Sequence, residues 1–150
     1  MFKNHPIIKE AILWTLMPIL TVLGSLLGVL AVGTLWWIFF KMHSEEIQTG
    51  WMFKYLIPIF GCCIYGYLWA QIPAKIAPRG KAIASIIMVT ILSAANLVII
   101  TILLVSDQIA TYNPTFDIIL SLAIITSSIL SSIQVYKKNH NNNNNYNWFE

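Results

Sequence analysis

Four long runs of apolar residues, none containing a charged side chain, dominate this sequence. They occupy residues 11–40, 55–72, 82–105 and 118–136. A helix needs about 20 apolar residues to cross the ~30 Å hydrocarbon core of a bilayer, so each run is near the length of one span. The chain is only 10% charged, whereas soluble domains carry about 25% charged residues. The sequence therefore predicts an all-α, polytopic membrane protein with four transmembrane helices.

The first run is predicted to remain as a span and not to act as a cleaved signal peptide. Residues 11–40 form a run far longer than the ~7–15 apolar residues of a signal sequence. Tryptophans give an independent measure, because Trp prefers the membrane–water interface. At about 1.5 Å per residue, Trp14 and Trp36 would lie roughly 33 Å apart, and Trp51 and Trp69 roughly 27 Å apart. All four are therefore predicted to mark bilayer boundaries.

Lysine and arginine residues are distributed unequally between the two predicted sides of the membrane. Cytoplasmic loops carry an excess of these cations, which sets the orientation of the chain. The first loop supplies Lys41 and Lys54 to one side, and the third loop supplies none. We therefore predict that both termini and the second loop are cytoplasmic. The predicted cytoplasmic side carries seven cations: Lys3, Lys9, Lys75, Arg79, Lys81, Lys137 and Lys138.

The second loop has the sequence IPAKIAPRGKAIA and concentrates three cations, Lys75, Arg79 and Lys81. Orienting the chain is one interpretation of this cluster. The other is a site for an anionic lipid or a phosphate, since basic clusters beside a span attract acidic headgroups at ~1 kcal/mol per cation. Both interpretations can hold together.

Small and polar residues within the spans predict where helices pack. Lipid tails are as apolar as leucine, so transmembrane helices associate through small residues and hydrogen bonds. Gly24 and Gly28 form a G-x-x-x-G pair in the first span, and we expect Gly28→Ile to weaken association with a partner or a second copy. Asn96, near the middle of the third span, is expected to bond a serine of the fourth span or a backbone carbonyl. The fourth span carries a serine stripe that would either pack helices or line a polar pathway: Ser121, Ser127, Ser128, Ser131 and Ser132.

Several function classes lack support in the sequence. Ionisable residues inside spans usually mark proton coupling and ion pathways, and the four runs contain none. No nucleophile–base grouping, phosphate-binding loop or metal-ligand spacing is present, so we expect no catalytic residues, no cofactor and no metal. Cys62 and Cys63 are interpreted as small packing residues. A net charge of +3, confined to the loops and termini, does not favour nucleic acid as a partner.

The chain is predicted to form a four-helix transmembrane domain over residues 1–138 and a disordered, Asn-rich cytoplasmic tail over 139–150. The fourth helix should begin at Pro114, because proline suits the first helical position. The leading hypothesis is a non-enzymatic accessory, assembly or protective (immunity-like) subunit that packs against another integral membrane protein or a second copy. The alternative is a small oligomeric channel or transporter that uses the polar faces of spans three and four. The expected location is a bacterial inner membrane, with an organelle membrane as the other possibility.

Overall fold

A computed structural model of the protein describes residues 6–41, 50–77, 80–105 and 114–146. Within these ranges every residue except Gly50, Ala77 and Gly80 is helical, and there is no strand. The four α-helices are joined in order, with one π-helical turn, Met52–Leu56, before the second of them. They are α1, Pro6–Lys41; α2, Ile57–Ile76; α3, Lys81–Val105; and α4, Pro114–Tyr146.

Each of the four helices is long and apolar enough to cross a membrane, which confirms the prediction of an all-helical, multi-pass membrane protein. The segments that meet this criterion agree closely with the predicted first and third runs, whereas the second and fourth are longer than predicted. The second helix does not end at Pro73 but continues through Pro73 and Lys75 to Ile76. The orientation of the chain remains a prediction. These segments are Glu10–Phe39, Phe53–Ile76, Lys81–Val105 and Thr115–Asn141.

Helix α2 lies at the centre of the molecule and contacts each of the other three helices. It runs antiparallel to α1 and α3 and parallel to α4, as short connections between consecutive spans require. The apolar core consists of Met17 of α1, Trp69 of α2 and Ala77 just after it, and Ala84, Met88 and Leu92 of α3. Many large apolar side chains elsewhere are exposed, as expected where lipid replaces water as the solvent.

Ala77 and Gly80 are the described residues of the α2–α3 connection. The amide of Ala77 donates to the carbonyl of Pro73 at 2.9 Å. Gly80 follows with a φ of +67°, a left-handed conformation that glycine adopts without the steric cost of a Cβ. Helix α3 then starts at Lys81. Arg79, the central cation of this loop, lies outside the described residues.

Helix α4 begins at Pro114, as predicted, and continues to Tyr146. Residues 139–146 are thus helical in the structure, where the sequence predicts a disordered tail; residues 147–150 lie outside the described ranges. Once a helix has formed, each added residue contributes one further backbone hydrogen bond. Asparagine opposes this by only a few tenths of a kcal/mol, about 0.7 at most.

Trp69 departs from the predicted role of an interfacial marker. It is 7% exposed and packs in the core, and its indole N–H donates to the carbonyl of Met88 on α3 at 2.9 Å. The interface prediction is therefore wrong for Trp69. A buried indole needs a hydrogen-bond acceptor, and a carbonyl of the adjacent helix supplies it here. Trp51, at the other end of the same span, is 66% exposed.

Candidate functional site

The G-x-x-x-G pair of α1 faces α2 of the same chain. A Cβ on Gly24 would lie 2.8 Å from Cδ1 of Ile72, and one on Gly28 would clash with Cδ1 of Leu68. Both neighbouring atoms are the ends of flexible side chains. The structure thus places Gly24 and Gly28 at the α1–α2 contact, where Gly28→Ile would act first on packing within the chain.

Among the glycines that the structure describes, Gly66 is the one whose added Cβ would meet backbone atoms of another helix. A Cβ at this position would lie 2.5 Å from the carbonyl oxygen of Ile124 and 3.1 Å from the amide nitrogen of Ser128. Backbone cannot move aside as a side-chain tip can, so α2 and α4 meet this closely only because residue 66 has no side chain. Gly66 was not predicted as a packing residue, because it shares no helix face with Gly61 and so forms no small-residue motif with it.

The serine stripe of α4 lies against α2 and α3 of the same chain. Ser127 donates to the carbonyl of Cys63, and Ser131, four residues later, donates to the carbonyl of Tyr67 at 3.2 Å. Ser131 also accepts a hydrogen bond from Nε2 of Gln71 at 3.1 Å. On the other side, Ser85 of α3 donates to Ser132 at 3.4 Å. Four serines of the stripe are buried: Ser121, Ser128, Ser131 and Ser132.

Asn96 is 6% exposed and donates from Nδ2 to the carbonyl of Leu92 in its own helix at 2.9 Å. Of the two partners that the sequence suggests for it, the structure has the backbone carbonyl. Two buried hydroxyls, those of Ser25 and Ser93, have no hydrogen-bond partner among the described residues. Exposed threonines instead bond the preceding turn of their own helix, as Thr90 does with the carbonyl of Ile86 at 2.9 Å.

An apolar groove of about 520 Å³ separates the second half of α1 from the start of α2. Its lining includes aromatic rings, and those of Trp36 and Phe60 lie 6.0 Å apart across the two helices. Gly33 also lines the groove, and a Cβ there would meet no atom within 4 Å. We call this feature the α1–α2 groove. Its lining includes Leu26, Val29, Leu30, Gly33, Trp36, Phe53, Phe60, Gly61 and Tyr65.

A second cavity, of about 470 Å³, lies where α2 ends, α3 begins and α4 leaves the apolar segment. Three lysines from three helices line it: Lys75 of α2, Lys81 of α3 and Lys138 of α4. No aspartate or glutamate is among the described residues that line it. We call it the basic cavity. Its other lining residues are Tyr67, Gln71, Ala74, Gln134, Val135 and Asn139.

The basic cavity joins two of the three cations that the sequence groups, Lys75 and Lys81, to residues that the sequence analysis left apart. The spacing of these polar residues in the sequence could have indicated that they belong together. Tyr67, Gln71 and Lys75 follow one another at four-residue spacing, as do Gln134 and Lys138. Residues four apart lie on one face of a helix, so each series forms a polar strip at the end of an apolar span. What the sequence lacks is the pairing of the two strips, which depends on the parallel contact between α2 and α4.

Comparisons with known proteins give no match for this chain. No family model matches it, and neither a curated protein nor a solved structure matches it significantly.

Proposed function

We propose that this protein is a non-enzymatic accessory, assembly or protective subunit that acts by packing its helices against another integral membrane protein. The observation that carries the proposal is the α1–α2 groove. It is an apolar recess between two spans, and a glycine with open space above it lies on its wall.

The groove supports this function because of its chemistry. Small residues on a lipid-facing surface let the backbone of a second helix approach closely, which is how transmembrane helices gain van der Waals contact. Gly24, Gly28 and Gly66 are already covered by neighbouring helices of the chain, whereas Gly33 is open. The proposed occupant is therefore an apolar transmembrane helix of the partner, and we place the complex in a bacterial cytoplasmic membrane.

Photocrosslinking in native membranes tests the proposal by position. We expect p-benzoylphenylalanine at residue 30, 36 or 60, all in the groove, to give one discrete protein adduct. The same probe at Ile91 or Val98, on the exposed face of α3, should give none.

Gly33→Leu should abolish the groove adduct, while Ala31→Leu, at an exposed residue outside the groove, should leave it intact. Equal adducts from both faces, or no effect of Gly33→Leu, would overturn the proposal.

The alternative function, an oligomeric channel or transporter, requires the polar faces of α3 and α4 to line a pathway. Most of those hydroxyls bond groups of the same chain, which favours the packing function. Flux measurements in liposomes discriminate between the two. Solute or ion flux that Asn96→Leu abolishes would support transport and count against an accessory role.

A further inference from the structure

The basic cavity is a built recess and not only a run of charges in a loop. Its three lysines come from three different helices, and residues 67–75 of one wall span about 12 Å along α2 at 1.5 Å per residue. The recess therefore extends inward from the ends of the helices. Its volume of about 470 Å³ falls within the ~300–1,000 Å³ typical of small-molecule sites.

The charges of the cavity favour an anion. Lys75, Lys81 and Lys138 contribute three formal positive charges, and no aspartate or glutamate is among the described residues that line it. Lysine ammonium groups bind phosphate as point charges with three donors each.

The polar groups deeper in the cavity add directed hydrogen bonds. Gln71 uses one of its two amide hydrogens on Ser131, which fixes the carboxamide at the cavity wall; a second hydrogen remains for a ligand. Gln134 and Asn139 add further donors on α4. Ala74 and Val135 are buried and form an apolar part of the lining. The lining thus offers cations, amide donors and a small apolar surface, as a phosphorylated glycerol group would require.

We propose that the basic cavity binds a phosphate group, either in the headgroup of an anionic glycerophospholipid or in a soluble phosphate. The site lies at the end of three spans, beside the headgroups of the surrounding bilayer, and it is separate from the α1–α2 groove. The proposed phosphate site therefore does not depend on the partner proposed for the α1–α2 groove.

Lipid titration of the purified full-length protein, followed by native mass spectrometry, tests the site. Phosphatidylglycerol should bind with one tight site per chain and at least about fivefold more tightly than zwitterionic phosphatidylcholine. Lys138→Gln should weaken phosphatidylglycerol binding about fivefold, the effect of one cation near a headgroup. Lys137→Gln removes the same charge from the neighbouring exposed residue, which does not line the cavity, and should change affinity less than twofold. Both residues are exposed, and circular dichroism checks that both variants keep their helicity.

A charge-neutral variant separates a cavity from a charged surface. Gln134→Trp should fill the recess and weaken phosphatidylglycerol binding at least fivefold, whereas Ile133→Trp, on a neighbouring exposed residue, should not. Competition by inorganic phosphate or glycerol phosphate would assign the site to the phosphate group alone, and its absence would assign it to the anchored lipid. Equal losses in Lys137→Gln and Lys138→Gln, or unchanged binding in Gln134→Trp, would overturn the proposal.

Discussion

At the scale of single residues, the glycines of this protein differ in what surrounds them. Gly28 faces the tip of Leu68, which can rotate away, whereas Gly66 faces the α4 backbone at Ile124. Alanine at either position gains up to ~1 kcal/mol of helix propensity over glycine. The two substitutions therefore share the same local benefit and differ only in the contact that the new methyl group makes.

We expect Gly66→Ala to destabilise the folded protein relative to Gly28→Ala by about 1–3 kcal/mol, the usual cost of forcing extra volume into a packed contact. Thermal or denaturant unfolding of the two variants in detergent micelles measures the difference. Equal stabilities would mean that α4 can move away from α2, contrary to the close backbone approach.

Trp69 offers a second residue-scale prediction. Trp69→Phe keeps an aromatic ring in the core but removes the donor to the carbonyl of Met88, so we expect a loss of about 1–2 kcal/mol in unfolding free energy. The matched variant is Trp37→Phe, since Trp37 is 53% exposed, and it should change stability by less than about 0.5 kcal/mol. The reverse order of effects would contradict a stabilising contribution from the buried Trp69–Met88 hydrogen bond.

At the scale of helices, α4 shows what sequence patterns can and cannot predict. The serine stripe was predicted from spacing alone, because an α-helix places these residues within one arc. Its partners were not predictable, because the hydroxyls of Ser127 and Ser131 bond backbone carbonyls of α2. Every residue has such a carbonyl, so the sequence does not indicate which one is used. The same limit applies to Gly66, whose importance depends on which helix lies opposite.

The Gln71–Ser131 hydrogen bond links α2 to α4, and a double-mutant cycle measures its contribution. Gln71→Leu and Ser131→Ala should show a coupling free energy of about 0.6 kcal/mol, with about 1.7 as the upper range for interhelical bonds in membranes. Gln71→Leu with Thr101→Val forms the control cycle, because Thr101 bonds the carbonyl of Leu97 in its own helix. A coupling no larger than that of the control would indicate that the bond adds nothing to packing.

For the whole molecule, sequence reasoning predicted the number and approximate limits of the spans, because transfer into hydrocarbon depends on composition and length. It did not predict the α1–α2 groove or the basic cavity. Both arise from the central place of α2, which is set by small residues at several contacts together and not by any one motif.

The orientation of the whole molecule remains to be tested by labelling. In a background with Cys62→Ala and Cys63→Ala, we expect Lys54→Cys to react with a membrane-impermeant thiol reagent added to intact cells, and Lys81→Cys to react only after permeabilisation. The unequal distribution of cations predicts this result. Both residues are exposed, and they lie near opposite ends of the bundle. Labelling of both from outside would contradict the membrane-spanning arrangement, and a reversed pattern would contradict the predicted orientation.

Helix α4 continues beyond the segment that can cross the membrane, which ends at Asn141. Tyr146 lies eight residues past Lys138, or about 12 Å at 1.5 Å per residue. Residue 141 thus has continuous helix on both sides. A spectroscopic probe attached to the thiol of an Asn141→Cys variant would therefore tumble with the entire bundle. Its fluorescence anisotropy would report the size of the assembly directly, and a bound partner would be detected as slower rotation.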